Sequence, residues 1–86
     1  MFTRVQLNLN TVNQFIGLIR TTDFDQNAAL EFGKIQAELR KIGRPTGEID
    51  ALIAAVARSQ RYILITNNTR HFINISDLRL ENWLDV

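Results

Sequence analysis

Hydrophobic and polar positions change rhythm several times along this chain. Val5, Leu7 and Leu9 alternate with Gln6, Asn8 and Asn10, the period of two that predicts a half-buried strand over Val5 to Leu9. From Thr11 the period lengthens. Val12, Phe15, Ile16 and Ile19 recur at helical spacing, and Asn10 or Thr11 can accept the free N–H groups at the helix start. The clearest helix follows Asp25, where Ala28, Phe32, Ile35, Leu39 and Ile42 form one apolar stripe with Glu31, Lys34, Glu38 and Lys41 outside it. Gly43 stands where a helix turns back, Arg44-Pro45 cannot continue it, and Thr46 or Gly47 can cap the next. That third helix is expected to bury Ile49, Leu52, Ile53, Val56 and Ala57, its alanines letting neighbouring backbones come close. Tyr62 to Thr66 is a continuous β-rich run without alternation, the mark of a strand covered on both faces in a parallel sheet. Thr69 to Phe72 fits one short helical turn, and Leu78-Arg79-Leu80 a last short strand before Trp83, which with Leu80 and Leu84 is expected to anchor the C-terminus.

Helices interleaved with a both-faces-buried strand make this an α/β chain. Its 86 residues, 45% hydrophobic, suit a single small domain with little stability to spare. There is no cysteine, so disulfides and thiolate metal sites are excluded, which fits a cytoplasmic protein. The net charge of +1 is spread along the chain and makes no whole-molecule case for nucleic-acid binding. No apolar run approaches the roughly 20 residues of a membrane span, and no signal peptide is visible. Partners in the membrane are not expected.

Ligands of open α/β sheets gather beyond the C-terminal ends of the strands, and there the chain places Asn67 and Asn68. Asp50 falls in the first turn of the preceding helix, where the helix N-terminus favours a negative side chain. Asp50 and Asn68 are thus candidate oxygen ligands for a hard cation, magnesium or manganese, with water and phosphate completing the shell. The plainer role for Asp50 is a helix-end charge, and for the asparagines a turn that tolerates left-handed backbone. Glu48 reads more readily as a capping or solvated acid than as a ligand, since residues two apart do not share a helix face. Arg44, Arg70 and His71 can contact phosphate beside such a site, though solvated surface is the commoner fate of such residues. His71 has no second His or Cys at ligand spacing, which argues against zinc. No Ser/His/Asp arrangement or Gly-rich phosphate loop is present.

Gly43-Arg44-Pro45-Thr46-Gly47-Glu48-Ile49-Asp50, running into Ala51-Leu52-Ile53-Ala54-Ala55, and Ile65-Thr66-Asn67-Asn68 leading to Phe72 resemble the C-terminal portion of PIN-domain ribonucleases of the VapC toxin type. The resemblance extends over roughly residues 11 to 83. It implies a PIN-like three-layer domain with a small, mostly parallel sheet flanked by helices. It also implies a magnesium-dependent endoribonuclease ancestry, with RNA as substrate and a VapB-like antitoxin as partner. By the same resemblance Asp50 is the third acid of the site, Asn68 takes the fourth position, and Glu48 matches an assisting acid.

The family opens with a strand ending in Asp-Thr-Asn and continues to a helix bearing a Glu. Neither acid is identifiable here, and Leu7 to Asn13 offers only asparagines at the corresponding place. A neutral amide does not offset a divalent charge. Residues 1–86 therefore read as one truncated PIN-like domain, inactive or weakly active alone, or as a piece of a longer reading frame. The competing class is a non-catalytic module that binds an antitoxin or oligomerises. With the family's first strand absent, Tyr62 to Thr66 needs an edge partner, either Val5 to Leu9 or the same segment of a second copy, so a homo-oligomer is expected.

Overall fold

In the computed structural model, which describes residues 3–6, 25–66 and 69–82, Asp25 caps the first long helix as its sequence position suggests. Its Oδ1 accepts the backbone N–H of Ala28 at 2.9 Å, and α1 then runs from Gln26 to Lys41. The helix ends in a Schellman motif. Gly43 takes φ +70, its N–H bonds the Arg40 carbonyl at 3.1 Å, and the Arg44 N–H bonds the Leu39 carbonyl at 2.8 Å. A side chain at Gly43 would be strained by that backbone, so the glycine is what turns Arg44 and Pro45 out of the helix.

The second helix, α2 (Glu48–Gln60), has Gly47 at its N-cap with no side-chain bond, leaving Glu48 and Asp50 to meet the positive end of the helix. Ala51 and every residue from Ile53 to Ala57 are buried, because α2 lies against α1 while also contributing to the core shared with the sheet. Arg61 closes α2 in the left-handed region at φ 58, and the chain turns directly into a strand.

Among the described residues, three parallel strands, β1 (Thr3–Gln6), β2 (Tyr62–Thr66) and β3 (Arg79–Asn82), form a sheet in that order. Leu64 is fully buried and stands opposite Leu80; both pack into the cluster built by Ile35, Leu39, Ala54, Phe72 and Ile75. Burying a leucine of this kind contributes about 2 kcal/mol. A short 3-10 turn, Thr69–His71, leads out of the β2 end toward β3. The α/β architecture and parallel sheet agree with the sequence pattern.

Several expectations are changed. The first strand lies at Thr3–Gln6 and pairs with Tyr62 to Ile65, so β2 obtains that edge partner from its own chain. Helical periodicity puts Ile42 and Ile49 on buried stripes, but they are 56% and 50% exposed. Ile42 has passed the last turn of α1, and Ile49 sits in the first turn of α2, where the packed layer has not yet begun. The last strand begins at Arg79, with Leu78 half-buried just before it. The helix expected over Val12 to Ile19, residues 7–9, Asn67-Asn68 and Trp83 lie outside the described residues.

Arg58 had no marked role in the pattern, yet it ties the fold together. Its side chain is only 8% exposed and sits between Glu31 (2.6 Å) and Glu38 (3.1 Å), both from α1, while also donating to the Ser76 carbonyl at 3.1 Å. The Ser76 hydroxyl donates to Glu38 at 2.9 Å. Hydrogen bonding from Arg58 holds the Glu38 carboxyl below its ordinary range, against a smaller opposing effect of burial and with help from Ser76. Burial works to lower the Arg58 guanidinium, but its bonds to Glu38 and Glu31 outweigh this and raise it. Glu31 and Glu38, outside the apolar stripe, therefore face a partner on α2. On the sheet, Arg4 of β1 and Glu81 of β3 form a further ion pair across β2.

Candidate functional site

The Schellman turn after α1, the first turn of α2 and the 3-10 turn after β2 converge on one groove of about 420 Å³. Arg44, Pro45 and Thr46 come from the first of these, Gly47 and Asp50 from the second, Arg70 and His71 from the third. Each is fixed for a local reason. Arg44 follows the left-handed glycine, and Asp50 is the third residue of α2. Phe72 is buried, and its N–H bonds the Thr69 carbonyl at 2.9 Å; with the aromatic ring anchored inside, Arg70 and His71 face outward. Leu39 and Ile75 reach the groove from the core and connect its floor to the packed layer.

At the centre, His71 Nδ1 lies 3.2 Å from Asp50 Oδ2, with 45% and 28% of the two side chains exposed. Both residues of the pair line the groove, as do the exposed residues Arg44 and Arg70. Asp50 supplies a hard oxygen suited to a divalent cation, and the arginines supply charge for phosphate. Glu48 opens α2 as an exposed residue and does not line the groove. Asn68, with Asn67, is outside the described residues. Among the described residues no three His, Cys, Asp or Glu side chains gather where they could hold an ion.

Sequence reasoning placed Asp50 at a helix start and the basic residues near it, but gave His71 no link to Asp50. The signal available was indirect: a buried aromatic one residue after His71 forces the histidine to the opposite, outward side of a tight turn. Thr46, marked in the sequence only as a possible helix cap, and Asn74, which no pattern marks, also line the groove.

A PIN domain family model matches residues 6–78. The chain is 45% identical over 76 residues to the tRNA(fMet)-specific endonuclease VapC of Shigella flexneri, covering 88% of this chain and 58% of that protein. It is 42% identical over 77 residues to ribonuclease VapC2 of Haemophilus influenzae, covering 90% of this chain and 58% of that protein. Among solved structures, a DNA-bound VapBC from Salmonella typhimurium superposes with a TM-score of 0.69 at 40% identity, over 84% of this chain and 55% of that one. VapBC-1 from nontypeable Haemophilus influenzae gives 0.66 at 38% identity, over 70% and 45%. The chain thus spans 58% of the length of the two VapC proteins. With a family match over most of its length and the same fold as these relatives, the chain belongs to the PIN domain family and resembles its VapC ribonucleases.

Proposed function

We propose that this chain carries part of the cation and RNA site of a VapC-like ribonuclease, with Asp50 as its central ligand, and that by itself it cleaves RNA weakly or not at all. The observation that carries this reading is the placement of Asp50 in an open groove that Arg44 and Arg70 also line, with His71 in contact with it. By family resemblance Asn68 is proposed as a further oxygen and Glu48 as an assisting acid outside the groove. A magnesium or manganese ion bound there would polarise a phosphodiester and activate water. Asp50 contributes charge and a fixed oxygen; Arg44 and Arg70 hold the backbone phosphates of the strand in register with it. One carboxylate in a groove that two guanidinium groups also line supplies little net attraction for a divalent ion, which is why weak occupancy is expected. A VapB-like antitoxin is the proposed partner, supported by the VapBC assemblies to which the fold is similar. Action on cytoplasmic RNA follows from the same reading. Among the described residues no helix is long and apolar enough to cross a membrane.

The test is cleavage of single-stranded RNA and of tRNA, the substrate named for the Shigella flexneri relative, by purified chain with magnesium or manganese. Cleavage near background, with any residue of it lost in Asp50→Ala, is expected. Efficient magnesium-dependent cleavage abolished by Asp50→Ala would overturn the weak-activity claim. Cleavage that persists in Asp50→Ala would overturn the assignment of Asp50. Co-purification with a co-expressed VapB-like antitoxin checks the partner.

A further inference from the structure

We propose that the groove binds the phosphates of single-stranded RNA directly, with no bridging cation, and that Asp50 restrains this binding instead of recruiting it. This rests on the reading of the groove as an RNA site and not on Asp50 as a cation ligand. Arg44, Arg70 and His71 line the groove, and Asp50 is the only acid among its described lining residues. That carboxylate is in contact with His71, whose Nδ1 lies 3.2 Å from Oδ2. An Nδ1–H can donate to this oxygen whether the ring is neutral or protonated. The arginines are placed differently. Arg4 and Arg58 are tied to glutamates, whereas Arg44 and Arg70 are exposed and stand in no ion pair among the described residues. A guanidinium without a carboxylate partner keeps its fork of donors for phosphate.

The donor set does not fit a firmly held divalent cation. Hard cations are held by several oxygens, carboxylates among them, and among the described residues no three His, Cys, Asp or Glu side chains gather for one. For an anion the same lining is suitable. Two guanidinium groups outweigh one carboxylate, and Thr46 and Asn74 add a hydroxyl and an amide that can donate to phosphate oxygens. Gly47 opens α2 at the groove with no capping side chain to compete for the first N–H groups of the helix. The two accounts of Asp50 predict opposite signs. If a cation links the carboxylate to RNA, removing its charge weakens binding. If phosphate meets the arginines directly, removing the negative charge from the groove strengthens it.

The experiment is fluorescence anisotropy of a labelled single-stranded RNA with the full chain, in EDTA and in magnesium at matched, near-physiological ionic strength. It compares wild type with Asp50→Asn, His71→Asp and the double variant Arg44→Ala with Arg70→Ala, each checked for folding by circular dichroism. His71 is exposed, so His71→Asp adds a carboxylate to the groove without entering the core. Wild type should bind as tightly in EDTA as in magnesium. In EDTA, Asp50→Asn should bind roughly twofold to fivefold tighter, the size expected of one partly exposed charge. His71→Asp should bind more weakly, and the arginine double variant about tenfold more weakly. Binding that needs magnesium, or that Asp50→Asn leaves level or weakens in EDTA, overturns the inference and leaves Asp50 as a cation ligand. Should Asp50→Asn not fold, undiminished binding by His71→Asp in EDTA overturns it in the same way. No binding by wild type in either buffer, or binding indifferent to loss of both arginines, overturns the RNA reading of the groove as well.

Discussion

Arg58 and Asp50 sit on the same helix, α2, and their surroundings differ in a way that separates architecture from function. Arg58, near the helix end, is buried among Glu31, Glu38 and the Ser76 carbonyl. Asp50, in the first turn, meets only one half-exposed histidine among the ion pairs of the described residues and opens to a groove lined by two arginines. A charge buried with its hydrogen-bonding capacity filled has nothing left for a ligand and serves to join elements. A charge held in place but incompletely partnered retains capacity that water, an ion or phosphate can use.

The sharpest way to break this comparison is Arg58→Ala. It takes from Glu31 and Glu38 the guanidinium they share, leaving Lys34 as the nearby cation, and unlinks α1, α2 and the loop before β3. A loss of about 3 kcal/mol is expected, at the low end for a broken buried pair because both glutamates keep some solvent. Urea unfolding followed by circular dichroism measures it, and an unchanged midpoint would remove the architectural role. Next in size is Gly43→Ala, which forces a Cβ into the left-handed backbone at φ +70 and should cost about 1 kcal/mol in the same assay.

Glu38 sharpens the contrast through pH. Its folded-state pKa is lowered, so its stabilising contribution is present above the ordinary glutamate value and is lost as pH falls through the lower folded value. Because the side chain is 43% exposed, the contribution should be below about 1 kcal/mol. Glu38→Gln should therefore flatten the fall in stability as pH drops from neutral through and below the ordinary glutamate value; an identical pH profile to wild type would contradict it. The smallest stability effect belongs to the groove. Arg44→Ala with Arg70→Ala should change stability by less than about 0.5 kcal/mol. The same double variant should weaken single-stranded RNA binding and lower its salt slope by roughly 1.4. A large loss of stability with unchanged salt slope would place these arginines in the architecture instead.

Local signals in the sequence carried most of the fold. The Asp25 cap, the Gly43 turn, the stripe of Ala28, Ile35 and Leu39, and the continuous run of β2 each depend on neighbours a few residues away, and each appears in the structure. Ile42 and Ile49 show where periodicity fails: a repeat marks the face of a helix but not where the packed layer ends. Arg58 was not legible because its partners lie 27 and 20 residues away, and glutamates outside an apolar stripe look solvated until a second helix is placed beside them. The site was legible in part. Asp50 and the basic residues could be assigned to one strand-end region from helix and strand boundaries, whereas the contact of Asp50 with His71 depends on how a tight turn is anchored by Phe72.

Paramagnetic broadening of backbone amide signals during manganese titration tests the central claim most directly, comparing wild type with Asp50→Ala. Broadening confined to residues around Asp50, Arg44 and His71, and lost in the variant, is the predicted result. Broadening centred on Glu31 and Glu38, or a pattern at the groove that survives removal of the Asp50 carboxylate, would contradict the account.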